Sequence, residues 1–374
     1  MKTNTYREIL QQPHAWLEEY ENLVREKGRI AAFLRQFLTP ETDVVLTGAG
    51  TSAFIGDALC PVLRKQGWNR CRAVATTDLV THMSSYLSKS TPLLLISFAR
   101  SGNSPESVAV VNKANAYCQQ VAHIFITCNE NGELALRGNE KNTCLILLPK
   151  QTNDLSLAMT SSFSTMLLTG CMLAKIDTIE KEADFVKATV ENAQYILDNC
   201  QSMIKSVASS SFSRGIFLGS GELRGIAEEC HLKLQELTDG AIVCKFDSFL
   251  GFRHGPKAVV KPDSLVVYLT TDDEEVQIYE RDLIRQVAAN NPQTKQIIVS
   301  CGKKVNVDVH PTAEIVMPNG SLQTGIYGLV PYVLVGQLLG YNASLAHDLC
   351  PDTPSVSGNI SRVVEGVTIY YTMN

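Results

Sequence analysis

The residues best equipped for chemistry lie in the run Glu229-Cys230-His231-Leu232-Lys233-Leu234-Gln235-Glu236. Steps of four and three, from Glu229 to Lys233 to Glu236, put two carboxylates and an ammonium on one helix face, because neighbours on a helix surface are three or four apart. A turn-marked loop follows, Phe252-Arg253-His254-Gly255-Pro256, which can hold an imidazole at a pocket rim. Acid, base and titratable ring within one supersecondary unit point to proton transfer. The same spacing also suits a solvated helix face, and a lone His254 also suits a turn residue bonded to the backbone. His231 falls on another face and reads as a packing or interface residue. His14, His82, His123, His310 and His347 have no mutual spacing for a metal, so they are assigned none, and the expected chemistry is a proton transfer with no metal or redox cofactor.

A second group of residues suits an anion. The apolar strand Val44-Val45-Leu46-Thr47 runs into Gly48-Ala49-Gly50-Thr51-Ser52, after which a helical pattern resumes. Such a turn leaves free backbone N–H groups and a positive dipole end facing outward. Leu93-Leu94-Leu95-Ile96 repeats the arrangement, leading into Ser97-Phe98-Ala99-Arg100-Ser101-Gly102-Asn103-Ser104-Pro105. Ser104 suits a helix cap, Pro105 suits the first turn, and the hydroxyls with Arg100 suit a phosphate cradle. Thr160-Ser161-Ser162 is a further hydroxyl cluster, expected to open an apolar helix to about Ala174.

These loops need strands behind them, and the strands recur. The segment Ile216-Phe217-Leu218-Gly219 follows the first glycine turn at an offset of 171 residues (Gly48 to Gly219), and Leu265-Val266-Val267-Tyr268 follows Leu94-Leu95-Ile96-Ser97 at the same offset. A single offset for two strand-turn-helix units predicts a tandem duplication. The halves differ in charge: Thr271-Asp272-Asp273-Glu274-Glu275 replaces Arg100-Ser101-Gly102-Asn103-Ser104, and its carboxylates would repel a phosphate. The first half is therefore expected to hold the anion and the second to supply Glu236 and His254.

Further strands are expected at 124–127, 144–148, 296–299 and 314–317, a polar helical stretch at 179–208, and a closing helix at about 326–346. Amphipathic helical spacing over residues 5–38 precedes the first strand. Alternation of strand and helix predicts an α/β fold with two doubly wound, mainly parallel sheets flanked by helices. The expected division is N-terminal helices at 1–40, a phosphate-binding domain at 41–195 and a domain carrying the catalytic Glu and His at 196–374.

Length and composition agree with two cores: 374 residues, 45% hydrophobic, 19% charged, net charge −5. Without a Lys/Arg run, nucleic acid and anionic membrane surfaces are not expected partners. No apolar run reaches the roughly 18 residues of a membrane span and no signal-peptide pattern opens the chain, so a cytoplasmic location is expected. Eleven cysteines without a CxxC pair read as reduced, packed thiols. The Ser-, Gly- and Pro-rich tail after Asp352 ends in apolar residues, which suggests that it is tied down.

With these motifs in hand, LTGAGTSAFIGDAL (46–59), SFARSGNSPESV (97–108), AMTSSF (158–163), GFRHGPK (251–257), PDTPSVSGN (351–359) and RVVEGV (362–367), the chain resembles the sugar isomerase (SIS) domain family over essentially its whole length. Within that family it is most similar to the AgaS-type galactosamine-6-phosphate deaminase/isomerases, also named tagatose-6-phosphate ketose/aldose isomerases. A more distant resemblance, to the isomerase half of glucosamine-6-phosphate synthase, implies residue roles. Thr51 and Ser52, with Ser101 and Ser104, stand at sugar- and phosphate-binding positions; Gly50, Ser97, Arg100, Thr160 and Arg362 are further candidate ligands of the substrate and its phosphate. Glu236 stands at the proton-shuttling carboxylate, Lys233 and Glu229 at supporting charged positions, and His254 at the ring-opening histidine that reaches in from a neighbouring subunit. The resemblance thus implies a homodimer or larger homo-oligomer with a shared site.

Two departures matter. Ala99 replaces a phosphate-binding serine, with Arg100 beside it, and Arg362 replaces a lysine of the tail; arginine can anchor an anion but not act as base or form an imine. No glutaminase domain precedes the chain, so amide-nitrogen capture is not expected. The implied reaction converts galactosamine 6-phosphate to tagatose 6-phosphate and ammonia. The alternatives are aldose-ketose isomerisation of tagatose 6-phosphate or a related hexose phosphate, and a non-catalytic sugar-phosphate sensor, disfavoured by Glu236 and His254 and by the lack of a fused DNA-binding domain.

Overall fold

Strands buried on both faces need helices on both sides of the sheet, and the central strands here are buried at every position. The computed structural model describes residues 3–364 and 366–370; Glu365 of the RVVEGV motif lies outside them. The first sheet uses β1 (Asp43–Thr47), β2 (Cys71–Ala73), β3 (Leu93–Ala99), β4 (Val121–Thr127) and β5 (Thr143–Leu147), in the order β2-β1-β3-β4-β5. The second uses β6 (Arg214–Gly219), β7 (Val243–Asp247), β8 (Ser264–Leu269), β9 (Lys295–Cys301) and β10 (Ala313–Met317), in the order β7-β6-β8-β9-β10. All pairings are parallel. The duplication extends to register, since Val44 pairs with Leu94 and Gly215 with Leu265, each shifted by 171.

The turns repeat as well. Gly50 has φ +54° and its counterpart Gly221 has φ +58°, a region that favours glycine. Each turn starts a helix, Thr51–Lys65 in the first half and Glu222–Leu237 in the second. The two helices pack antiparallel. Lys233 meets Thr51 at one end (3.1 Å), Lys65 meets Glu222 at the other (3.1 Å), and a Cβ on Gly225 would stand 2.4 Å from the backbone N of Ala58 between them. On its other side the Glu222–Leu237 helix packs on Val333–Ala346, where a Cβ on Gly336 would lie 2.5 Å from the Cys230 side chain and one on Gly340 2.7 Å from Lys233 O. Enclosure from both sides is why Glu229 and Lys233 are fully buried, so the solvated-face reading fails.

Several expectations need correction. The edge strands β2 and β7 carry no signal in the sequence: one has three residues, and the other, Val243-Cys244-Lys245-Phe246-Asp247, is polar and partly exposed. The closing helix is not continuous over 326–346. It is broken by short 3₁₀ turns at Gly325–Tyr327 and Val330–Tyr332, where Gly325 has φ +55° and Pro331 cannot donate. The helical spacing over 5–38, by contrast, holds as two helices, Asn4–Leu10 and Gln12–Phe37. The 195/196 division falls inside a helical run that passes through a π-turn, Ile196–Cys200. One apolar cluster runs from Ile9 to Ala343 across both sheets.

The tail is tied down, but by polar contacts of Asp352, Ser357 and Arg362 rather than by its apolar ending, where Tyr370 is exposed. Asp352 accepts from Asn4 N–H (2.9 Å) and Thr5 N–H (2.8 Å), capping the first helix, and Ser357 bonds to Asp239 (2.9 and 3.0 Å). Eight of the eleven cysteines are buried and all are free thiols. No single helix is long and apolar enough to cross a membrane among the described residues.

The tight crossing at Gly225 makes a prediction. Gly225→Ala gains about 1 kcal/mol in helix propensity, yet the added methyl must displace backbone, so overpacking of about 1–3 kcal/mol decides the sign. Urea unfolding should show a net loss, and an unchanged or raised midpoint would contradict the crossing.

Candidate active site

Lys233 is the hub. Its Nζ donates to Glu236 Oε2 (2.6 Å) and to Thr51 Oγ1 (3.1 Å) and lies 3.3 Å from Glu229 Oε1. The helix from Glu222 thereby delivers its acid-base face to the first turn of the Thr51 helix, joining the two halves. Side-chain exposure separates the carboxylates: Glu229 is at 0% and Glu236 at 22%. Burial pushes the Glu229 carboxyl up to about 8, against the pull of Lys233. Burial would lower Lys233, but Glu229 and Glu236 outweigh it and its pKa ends raised. One ammonium cannot neutralise two carboxylates in a dry site. Burial thus favours the protonated form of Glu229, which is enclosed on all sides, whereas Glu236 is partly open to water. Lys233 is thus a fixed cation, not a free amine.

The anion loops sit opposite. Thr51 and Ser52 are buried in the turn after β1, and Ser97 is buried on β3. Ser104 caps the helix Pro105–Tyr117, accepting from Ser107 N–H, and its hydroxyl bonds Ser107 Oγ at 2.6 Å. Ser101 and Gly102 (φ +67°) turn the chain before that cap. Asn129 Nδ2 donates to Ser101 O (2.9 Å), and a Cβ on Gly132 would lie 2.3 Å from the same oxygen, so the loop is held from behind. Asn129 and Gly132 were not singled out in the sequence; glycine within a loop is too common a signal.

Three expected anion ligands are used otherwise. Arg100 is buried, with Nη1 donating to Ser156 O and Leu157 O (3.1 Å each) and Nη2 to Arg362 O. Arg362 donates from Nε to Asp154 O (2.9 Å) and from Nη2 to Asn153 Oδ1 (3.1 Å). Both guanidiniums clamp the tail to the 153–157 segment. Thr160 is fully buried and bonds Asp154, as do Ser161 and Ser162. An aspartate therefore occupies the start of the helix Ser161–Leu173, where a phosphate would otherwise sit. Asp154 is the residue that sequence reasoning missed, although an acid just before a hydroxyl-rich helix start was the available signal.

The clamp still shapes the site. The tail leaves Asp239, three residues past Glu236, at Ser357 and reaches the Arg100 loop at Arg362. Glu236 also acts electrostatically on the Arg100 guanidinium, which burial otherwise lowers. The tail thus spans from the acid-base helix to the anion loops.

His254 lies elsewhere in the chain. Glu236 is near the C-terminal end of its helix, hence at the edge of the second sheet where β7 begins. The five residues of β7, roughly 17 Å at strand rise, and the short helix Phe249–Phe252 then carry the chain to His254, which is exposed on a turn. Imidazole and carboxylate stand at opposite ends of that sheet within one chain. His231 packs between Phe246 (4.9 Å between ring centroids) and Phe54 (6.3 Å). No cluster of three His, Cys, Asp or Glu side chains able to hold a metal occurs among the described residues.

The proton on Glu229 makes a stability prediction. Its carboxyl binds a proton more tightly folded (about 8) than at the ordinary 4.5, so the folded state loses stability as pH climbs between those values. Glu229→Gln removes that loss. Urea unfolding of variant and parent should diverge in favour of the variant from about pH 5 to 8, and parallel pH profiles would contradict the assignment.

Comparison with known proteins agrees with this architecture. The SIS domain family profile matches residues 37–176. The chain is 37% identical to D-galactosamine-6-phosphate deaminase AgaS of Escherichia coli, over 98% of this chain and 96% of that one. The crystal structure of tagatose-6-phosphate ketose/aldose isomerase from Escherichia coli superposes with a TM-score of 0.89 at 35% identity, covering 99% of this chain and 96% of that one. The C-terminal domain of glucosamine-fructose-6-phosphate aminotransferase from Francisella tularensis shares the fold, with a TM-score of 0.80 at 20% identity over 95% of this chain and 98% of that one. The duplicated parallel sheets and this likeness over nearly the full length lead to one conclusion: the chain belongs to the SIS-domain family, alongside the AgaS-type proteins.

Proposed function

We propose that this protein converts galactosamine 6-phosphate to tagatose 6-phosphate and ammonia. The observation that carries the reading is the Lys233 ammonium bridging Glu236 (2.6 Å) and Thr51 (3.1 Å), which ties a carboxylate of one half to the anion-binding turn of the other. The names of the AgaS relative and of the isomerase structure supply the substrate class.

The phosphate rests on the Thr51-Ser52 turn and the Ser101–Ser104 loop, where hydroxyls gather at two helix starts. His254, supplied by a second copy of the chain, opens the sugar ring to the aldehyde. Glu236 takes the C2 proton and returns it to C1: the C2–H pair becomes the C1=C2 double bond while the C1=O π pair moves to O1, which takes a proton; on return the C1=C2 pair forms the new C1–H bond while the nitrogen lone pair forms C2=N and the nitrogen gives up a proton. The product is a C2 imine, and water adds to it, releasing ammonia and leaving the ketone of tagatose 6-phosphate. With a hydroxyl at C2 the same proton transfer gives aldose-ketose isomerisation, the second reading, which the name of the Escherichia coli isomerase structure favours.

Ammonia release from galactosamine 6-phosphate is the direct assay. Glu236→Gln should lower the rate by about 10² to 10⁴, the usual contribution of a positioned base; ligand-induced stabilisation without turnover in the parent would mark a sensor instead.

Sharing of the site between copies has its own test. Glu236→Gln and His254→Ala are each expected to be inactive alone. Mixed after dissociation and reassociation, they should recover up to about a quarter of parental activity, since in a random dimer population half the dimers carry one intact site of two. No recovery would place His254 outside the site.

A further inference from the structure

The antiparallel helix pair has two ends, and only one carries the acid-base residues. At the other end, Val62 and Lys65 of the first half and Glu222, Leu223, Asp272 and Tyr332 of the second line a cavity of about 240 Å³. This cleft is the repeat mate of the active site. At the offset of 171 residues Lys65 takes the position of Glu236, Val62 that of Lys233, Glu222 that of Thr51 and Asp272 that of Ser101. Duplication has kept the hollow and inverted its charge.

The inverted charge defines what fits. Lys65 Nζ is spent on Glu222 (3.1 and 3.2 Å). Asp272 Oδ2 accepts from Ser321 N–H (2.7 Å), which leaves Oδ1 without a partner among the described residues. The neighbouring helix Glu274–Asn290 is already capped by Asp273, which accepts from Glu275 N–H at 3.0 Å. A phosphate would therefore meet carboxylates where the active site offers hydroxyls. An ammonium, in contrast, would find Asp272, and the apolar wall of Val62 and Leu223 suits the C–H face of a sugar ring.

We propose that this interdomain cleft is a second ligand site, taking an amino sugar that carries no phosphate, with Asp272 as the ammonium partner. The volume admits one ring. Because Lys65 and Glu222 terminate the same two helices that bear Thr51 and Lys233, occupation of the cleft bears on helices that also build the acid-base end.

Titration calorimetry with D-galactosamine tests it on the intact protein. Saturable binding is expected in the parent and equally in Ser104→Ala, whose loop serves the phosphate. Asp272→Asn should weaken it about tenfold, as should replacing the ligand by D-galactose, since either removes one charge-assisted bond. Asp272→Asn should still release ammonia from galactosamine 6-phosphate, which verifies its fold; if it does not fold, Glu222→Gln is read in its place with the same expected weakening. Absence of saturation up to ~10 mM, equal affinity in both cleft variants, or loss of binding in Ser104→Ala would each overturn the proposal.

Discussion

A single ammonium, Lys233, held without water between two carboxylates and a threonine hydroxyl, is the constraint around which this structure is arranged. Such a group contributes little net stability, because desolvation offsets most of its Coulomb attraction; removing one partner instead leaves a bare buried charge at about 3–5 kcal/mol. Its value lies in position. Three contacts from one atom fix Glu236 against the Thr51 turn of the first half, and full burial keeps Lys233 cationic only because carboxylates surround it. Burial raises the pKa of the enclosed Glu229 and so favours its protonated form, while Glu236 remains partly accessible to water.

Everything that packs around this group serves to keep water out. The Glu222–Leu237 helix lies between Thr51–Lys65 and Val333–Ala346, and glycine stands where the backbones approach: Gly225 at Ala58, Gly336 at Cys230 and Gly340 at Lys233. Larger residues there would separate the helices and admit solvent to Lys233. The cost is a crossing with no tolerance for a side chain, a common trade at sites where function requires a buried charge.

The C-terminal tail extends the same logic to the rim. Arg100 and Arg362 form a pair of clamps that bond main-chain carbonyls of 154–157, with Arg100 also donating to the Arg362 carbonyl, while Asp239 holds Ser357 near Glu236. A guanidinium has five donors in a fixed fork, which suits binding of several carbonyls at once.

The sequence by itself determined the β–turn–α periodicity, the duplication at 171 residues, the placement of Glu229, Lys233 and Glu236 on one face, and the SIS-family motifs. These are local or repeated patterns, set by residue spacing and glycine conformation. It did not reveal β2 and β7, because edge strands need no continuous apolar run, nor the break before Val333, because apolar residues flank it without pause. Tertiary structure alone decided that the charged face is buried, since burial depends on Gly225, Gly336 and Gly340 meeting other helices. It alone decided that Arg100, Thr160 and Arg362 hold the walls, since Asp154 and the Ser156 and Leu157 carbonyls come to them from distant sequence. It alone separated His254 from Glu236 within a chain, because the two sit at opposite ends of a sheet whose direction no motif encodes.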